Sequence, residues 1–445
     1  MADLIYKKKK FTSFQIIIFG FASVILVGAL LLMLPIATKN RIVTPFNQAL
    51  FTSTSAVCVT GLVVQDTATY WSLFGQSIIL ILIQIGGLGV ITVAAAFALL
   101  SGRKISLMQR STMQEAIAAP KVGGIVRLTF FVLKGTFLFE MLGALVMMPT
   151  FIHDFGVKGI WMSIFHSVSA FCNAGFDIMG MESAKFASIT AYRGNLLINI
   201  TIMLLIIIGG IGFLTWEDIC THKFHLKRYR MQSKVILITS VLLILGPTVY
   251  FFFVEFNDMS MKERVLSSFF QAVSPRTAGF NTTNLTTMTD IGQFIVIVLM
   301  LIGGSPSSTA GGMKTTTFAV LLATTLSTFR RKEDTQIFNR RVDDGVVRNA
   351  ITILLMYIIL FFSGAIMISV VEGLSLDICL YETASAIGTV GLTLGITPNL
   401  GLLSQCVLMV LMFFGRVGGL TLIYAAISGT GKKIFKLPYE KITVG

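Results

Sequence analysis

Four short stretches of this chain end in the same small-residue pattern, and each lies between two long apolar runs. They read Thr54-Ser-Ala-Val-Cys-Val-Thr-Gly61-Leu62, Val168-Ser-Ala-Phe-Cys-Asn-Ala-Gly175-Phe176, Ala272-Val-Ser-Pro-Arg-Thr-Ala-Gly279-Phe280 and Ala384-Ser-Ala-Ile-Gly-Thr-Val-Gly391-Leu392. The shared glycines recur after 114, 104 and 112 residues. A fixed period with one unit per repeat constrains a fold more than any local signal. The unit here is an apolar run, a re-entrant small-residue segment and a second apolar run. Four such units in one polypeptide are the plan of a pseudo-four-fold cation pore.

With 54% hydrophobic and 13% charged residues over 445 positions, the chain is too apolar for soluble domains. A bilayer-spanning helix needs about 20 apolar residues with few charges. Eight runs qualify, at 13–35, 72–100, 125–150, 195–216, 232–256, 290–327, 346–371 and 401–428. The fold expected is therefore all-α integral membrane, with eight transmembrane helices in four tandem helix–re-entrant loop–helix repeats. Repeat 1 takes 1–102, repeat 2 takes 103–222, repeat 3 takes 223–330 and repeat 4 takes 331–445. The first run lacks a small-residue cleavage site and is expected to be an anchor, not a signal peptide.

The excess of Lys and Arg, 35 against 21 acids, is a topology signal more than a nucleic-acid one. Basic clusters at Lys7–Lys10, Arg103–Arg127, Lys223–Lys234, 330–348 and 432–441 all fall on one side of eight spans. The opposite loops hold only Lys39, Arg41, Lys158, Lys185, Arg193, Lys262 and Arg264. The short-loop bias of basic residues places both termini in the cytoplasm. The five cysteines show no paired spacing and are expected to be buried thiols. Cys220, His222 and His225 match no strong zinc pattern.

The re-entrant segments 46–57, 160–171, 263–274 and 377–387 are too short to span. Irregular backbone at membrane depth is tolerated only where protein buries it or water reaches it, and four-fold recurrence favours a shared aqueous axis. A cation there exchanges its hydration shell for backbone carbonyls. The candidates are Val59-Thr60-Gly61, Asn173-Ala174-Gly175, Thr277-Ala278-Gly279 and Thr389-Val390-Gly391. Each preceding short helix turns its negative dipole end to the axis. No ring of four acids is present, which disfavours a carboxylate filter for divalent ions.

Each inner run carries a second glycine motif: Ile85-Gly-Gly-Leu-Gly, Ile208-Gly-Gly-Ile-Gly, Ile302-Gly-Gly-Ser305 and Phe414-Gly-Arg-Val-Gly. Gly86, Gly87, Gly209 and Gly210 fit close helix packing, or flexibility beside a path. Two features break the symmetry. The third inner run contains Gly303-Gly304-Ser305-Pro306-Ser307-Ser308-Thr309-Ala310-Gly311-Gly312-Met313-Lys314, which cannot be a continuous helix. It is expected to lie below the filter as an obstruction; a simple kink is the alternative. Met313 between Gly312 and Lys314 breaks the phosphate-loop pattern. The second feature is Arg416, a charge within the fourth inner run, which faces a cavity or partner or serves as a structural arginine at the membrane end. Glu140 and Glu382 are acids in apolar contexts, Glu382 open to structural pairing or pore tuning. Arg276 is expected to brace the third filter segment through neighbouring pore segments.

These marks resemble the Trk/Ktr/HKT superfamily of potassium transporters over essentially the whole chain, and eight spans with short termini look most like the bacterial KtrB-type membrane subunits. The resemblance implies potassium uptake, often sodium-stimulated, with Gly303–Lys314 as gate and Arg416 as its partner. In plant HKT relatives a serine at the first filter position goes with sodium transport, so Gly61 points to K+ as the transported ion, with Na+ as a possible second. It implies a homodimer in the bacterial plasma membrane on a cytosolic ring of nucleotide-binding regulatory subunits (KtrA-like), because this chain has no nucleotide site of its own. The basic loops and the tail Lys432–Lys441 are then docking surfaces or simply a solvated positive-inside face. An alternating-access carrier with inverted repeats is disfavoured, since all four repeats run the same way. A scaffold needs no four-fold filter. An enzyme needs a nucleophile–base pair that does not emerge.

Overall fold

The computed structural model describes residues 12–101, 105–117, 123–419 and 421. Lys7–Lys10, Arg103, Lys104, Lys121, the end of the last apolar run and the tail at 432–441 lie outside them. Helix α1 is Ser13–Leu32, opened by a capping box between Thr12 and Gln15. Short α2, Phe46–Val57, leads to α3, Leu73–Leu88, and α4, Val90–Leu100. Helix α5, Leu107–Ile117, opens the second unit and is followed by α6 Ile125–Phe155, α7 Lys158–Phe171, α8 Leu196–Gly210 and α9 Phe213–His222. The third comprises α10 Met231–Tyr250, α11 Met261–Val273, α12 Asp290–Leu301 and α13 Thr315–Phe329. The fourth comprises α14 Asp344–Glu372, α15 Leu376–Gly388 and α16 Leu402–Val417. A two-residue hairpin, Gln336–Ile337 with Arg340–Arg341, joins α13 to α14.

Three of the four inner helices start where the sequence supplies a polar cap; α16 starts after Gly401 without one. Ser72, Asn195 and Thr289 accept from the amides of Gly75, Ile198 and Gly292, satisfying orphan donors of α3, α8 and α12. Each short helix packs on the outer helix of its own unit, and α2, α7 and α15 pack also on the inner helices α3, α8 and α16 of theirs. Each also touches the inner helix of the unit before it: α7 meets α3, α11 meets α8, α15 meets α12, and α2 meets α16. The last contact joins the first unit to the fourth, so the four units close into a ring.

Helices α1, α6 and α14 and the α10 segment extended to Glu255 are each long and apolar enough to cross a membrane. The inner runs depart from expectation. The runs 72–100 and 195–216 are not straight spans: α3–α4 bends by 95° and α8–α9 by 97°. The breaks fall at Gly89 (φ 86°) and Gly212 (φ 93°), angles that only glycine adopts freely. Both are the third glycine of their motif; Gly418 and Pro306 stand at the matching positions of the other two units, α16 ending at Gly418 and the polar loop running through Pro306. The disruption expected only in the third run is thus general.

Close packing explains further glycines. A Cβ on Gly28 would lie 2.5 Å from Ser53 Oγ and one on Gly143 2.5 Å from Ser167 Oγ, each also against an inner-helix leucine, Leu82 or Leu205. Ser53 and Ser167 donate to the Ile25 and Glu140 carbonyls, one turn before those glycines. A side chain at Gly143 overpacks this junction, whereas nothing lies within 4 Å of Gly246 on α10. Gly143→Ala is expected to destabilise by about 1–3 kcal/mol, while Gly246→Ala is neutral or gains up to about 1 kcal/mol as a helix substitution. Thermal unfolding of the detergent-purified variants measures both; equal melting points would overturn the packing argument. Gly86, Gly209 and Gly415 also meet the carbonyls of Val57, Phe171 and Ile387 at the ends of α2, α7 and α15, in line with close packing of the inner motifs.

Apolar sequence reports burial from water, not from lipid. The expectation of five buried thiols holds for Cys58, Cys172 and Cys379 and fails for two: Cys406 is exposed on the outward side of the apolar helix α16 for that reason, while Cys220 is exposed on α9, beyond the spans.

Candidate ion-permeation site

The residues following α2, α7, α11 and α15 converge on one axis. A Cβ on Gly61 would lie 2.5 Å from the Ala174 carbonyl oxygen, and one on Gly175 2.7 Å from that of Ala278. Gly279 likewise meets the Val390 carbonyl, and Gly391 meets that of Thr60. The contacts run 61 to 175 to 279 to 391 and back to 61, a closed ring in chain order. Only glycine permits so tight an approach.

The backbone of each segment alternates in hand. Val59, Asn173, Thr277 and Thr389 have φ of 58°, 57°, 79° and 51°, and the four glycines two residues on have 92°, 68°, 80° and 95°. Such left-handed non-glycine residues are strained and persist only where the surroundings hold them. Four serines do the holding. Thr60 N donates to the Ser55 carbonyl at 2.8 Å and Gly61 N to Ser55 Oγ at 3.0 Å; Val390 and Gly391 repeat both bonds to Ser385. Ala174 N donates to the Ser169 carbonyl and Ala278 N to that of Ser274, whose hydroxyls donate to the carbonyls of Phe176 and Phe280. The amides of these segments therefore point back toward their helices. None of the twelve carbonyls from Val59–Gly61, Asn173–Gly175, Thr277–Gly279 and Thr389–Gly391 accepts a hydrogen bond from a described residue. The buried hydroxyls of Thr60, Thr277 and Thr389 are also without a partner. Buried acceptors in such number call for a ligand, because leaving them unmet costs about 1–3 kcal/mol each. Sequence reasoning missed the four serines, although all stood inside the recurring pattern.

Above the glycines opens a cavity of about 250 Å3 lined by Gly61, Gly175, Gly279 and Gly391 with Asp66, Asp177, Asn281 and Thr393. The longer second-unit loop closes it: Phe186 N donates to Asp66 Oδ2 at 2.7 Å, and Ser188 Oγ accepts from Asn281 N at 3.2 Å. Asp177 lies in this loop, outside the helices. Burial first, then the neighbouring Asp66 charge, pushes its carboxyl up to about 7, against the bond it accepts from Met179 N. Above that pH it is a carboxylate that attracts cations to the mouth; below it is neutral. Lowering the pH on this side from about 8 to about 6 is therefore expected to reduce cation uptake, and Asp177→Asn to flatten the profile at the low level. A variant with the parental pH profile would exclude Asp177.

Below the glycines lies the polar loop. Gly311 packs on the Thr389 side chain and Gly312 on the Gly388 carbonyl. Ser305 N and Thr309 N donate to the carbonyls of Gly210 and Gly209, and Gly312 N to that of Gly415. Arg416 donates to the carbonyls of Thr309, Gly86 and Gly87, the last at 3.0 Å. Lys314 Nζ folds back onto the carbonyls of Ala310 (2.9 Å) and Gly311 (3.3 Å). Two cations thus hold three successive loop carbonyls. The expected partners of Arg276 are corrected: its Nη2 donates to Ser240 Oγ on α10 at 3.1 Å, not to a neighbouring pore segment, because its side chain runs outward behind the third segment. Glu140 meets Gln84 Nε2 at 3.4 Å and the Cys172 thiol. Among the described residues, no group of three His, Cys, Asp or Glu is placed to hold a metal ion.

Residues 5–435 match the TrkH family, described as cation transport protein. The potassium/sodium uptake protein NtpJ of Enterococcus hirae is 37% identical over 98% of both chains. The Ktr system potassium uptake protein B of Bacillus subtilis is 35% identical over 95% of both. In fold the chain is similar to the potassium transporter TrkH from Vibrio parahaemolyticus, with TM-score 0.74 and 19% identity over 96% of this chain and 86% of that one. A helical membrane protein with this ring of segments and these relatives is a transporter and not an enzyme: the chain belongs to the TrkH family of cation transport proteins.

Proposed function

We propose that the chain takes up K+ through the ring of Gly61, Gly175, Gly279 and Gly391, with the carbonyls of Val59–Gly61, Asn173–Gly175, Thr277–Gly279 and Thr389–Gly391 replacing the hydration shell. The observation that carries this is the set of unpartnered carbonyls around a closed ring of left-handed glycines. The activities of the relatives, potassium and potassium/sodium uptake, agree with K+ as cargo and with Na+ as a second ion or stimulator. The loop Gly303–Lys314 is the gate and Arg416 its latch, as its position under the ring and its bonds to α3 and the loop support.

The vestibule faces outward and the basic face lies in the cytoplasm with both termini, in the plasma membrane of a bacterium. The units divide at 102/103, 222/223 and 330/331. Two copies form the working assembly, and a cytosolic nucleotide-binding ring docks on the basic face, where the Arg340–Arg341 hairpin projects. Flux of K+ into liposomes holding the purified protein, with Na+ and Li+ as competitors, tests the reading. A folded protein that carries no K+ even with its cytosolic partner would remove it.

A further inference from the structure

The backbone leaving the ring toward the vestibule is tied down differently in alternate units. Nine residues before the four glycines stand Thr52, His166, Phe270 and Glu382. Thr52 bonds only to Gln48 in its own helix, and Phe270 has no polar atom in its side chain. The other two are wholly buried and cross to the outgoing strand. His166 Nδ1 lies 2.7 Å from the Met162 carbonyl, which can only accept, so Nδ1 carries the proton. Its Nε2 is then free to accept, and takes the Ile178 amide at 3.4 Å. Glu382 Oε2 accepts from Thr393 Oγ1 at 2.8 Å and Oε1 accepts from the Thr397 hydroxyl. Thr393 Oγ1 in turn accepts from Gly395 N at 3.0 Å, and both Thr393 and Gly395 line the vestibule beside Gly391. Among the described residues no ion pair involves Glu382; its bonds are spent on the strand.

We propose that His166 and Glu382 are positioning residues that set cation selectivity by anchoring the outer ends of the second and fourth filter segments. In the ring order these two units stand diagonally opposite. Their segments are clamped at both ends, by Ser169 and His166 in one and by Ser385 and Glu382 in the other. A carbonyl ring that cannot shrink disfavours the smaller ion, whereas freeing one end lets the ring close around Na+. This rests on the filter reading of Gly175 and Gly391.

The test is the K+/Na+ flux ratio in liposomes for His166→Phe, His166→Gln, Glu382→Met, Glu382→Gln and Thr393→Val, beside Gly61→Ser. His166→Phe suits the aromatic surroundings of Phe151, Phe165 and Phe280 but lacks the acceptor. His166→Phe and Glu382→Met are expected to lower the ratio about tenfold, the scale of one lost hydrogen bond. The glutamine variants keep an acceptor oxygen and should restore most of it. Thr393→Val should act in the direction of Glu382→Met, and it carries the test if Glu382→Met fails to fold. Unchanged ratios in the Phe, Met and Val variants, or glutamine variants as impaired as Phe and Met, would overturn the proposal. If Gly61→Ser also leaves the ratio unchanged, the filter reading itself falls; if Gly61→Ser alone changes it, only the anchoring is lost.

Discussion

Gly61→Ser is expected to abolish most of the discrimination between K+ and Na+ while leaving a folded protein. Two independent effects act at this position. A residue with a Cβ at φ 92° leaves its favoured backbone region, at about 1–3 kcal/mol. The new Cβ also presses on the Ala174 carbonyl, the ligand offered by the next segment of the ring. The segment relieves both by rotating its carbonyls off the axis, so the fault lands on ion coordination before it lands on the fold. The K+/Na+ flux ratio is expected to fall by about tenfold or more, the equivalent of ~1.4 kcal/mol in relative barrier height. Because the contacts form a closed cycle, Gly175→Ser, Gly279→Ser and Gly391→Ser should act in the same direction. A parental ratio in Gly61→Ser, at parental melting temperature, would show that ions are not selected at this ring.

The site was legible in the sequence where repetition spoke and obscure where direction mattered. Segment 46–57 coincides with α2, and the other three short helices begin and end within two residues of expectation, because a short amphipathic stretch ending in small residues has few other uses at membrane depth. Hydropathy could not separate a straight run from a bent one: Val90 to Leu100 is as apolar as Leu73 to Leu88, and only the turn at Gly89 divides them. The clue was positional, since Gly89, Gly212, Pro306 and Gly418 share one offset in their motifs. Ser55, Ser169, Ser274 and Ser385 read as mere small residues because their role depends on where the filter amides point. Arg276 was expected to reach sideways along the ring; its partner Ser240, 36 residues upstream, is a neighbour only once α10 has packed. Glu382 stayed ambiguous for the same reason, its two hydroxyl partners lying beyond the glycine on a strand whose course no local pattern states.

Arg416→Gln and Arg416→Ala are expected to raise K+ flux in the absence of any activating partner, with Arg416→Lys between them and the parent. Arg416 contributes two things: a positive charge beneath the ring, and donors that tie the Thr309 carbonyl to those of Gly86 and Gly87. At contact distance two like charges repel by ~4 kcal/mol with an effective dielectric near 20, and less with water between them. Recovering only ~1.4 kcal/mol of that suffices for a tenfold rise in flux. The three substitutions divide the two contributions. Glutamine keeps a donor without the charge, lysine keeps the charge without the planar fork, and alanine removes both. If charge dominates, Gln and Ala match and Lys resembles the parent; if the tether dominates, Lys and Ala match. Lys314 covers the adjacent carbonyls of Ala310 and Gly311, so Lys314→Met combined with Arg416→Ala should exceed either alone. Removal of the Gly303–Lys314 loop then sets the upper limit. Flux that stays at the parental level in all of these variants would leave the loop without a gating role, and the block on the path would have to lie elsewhere.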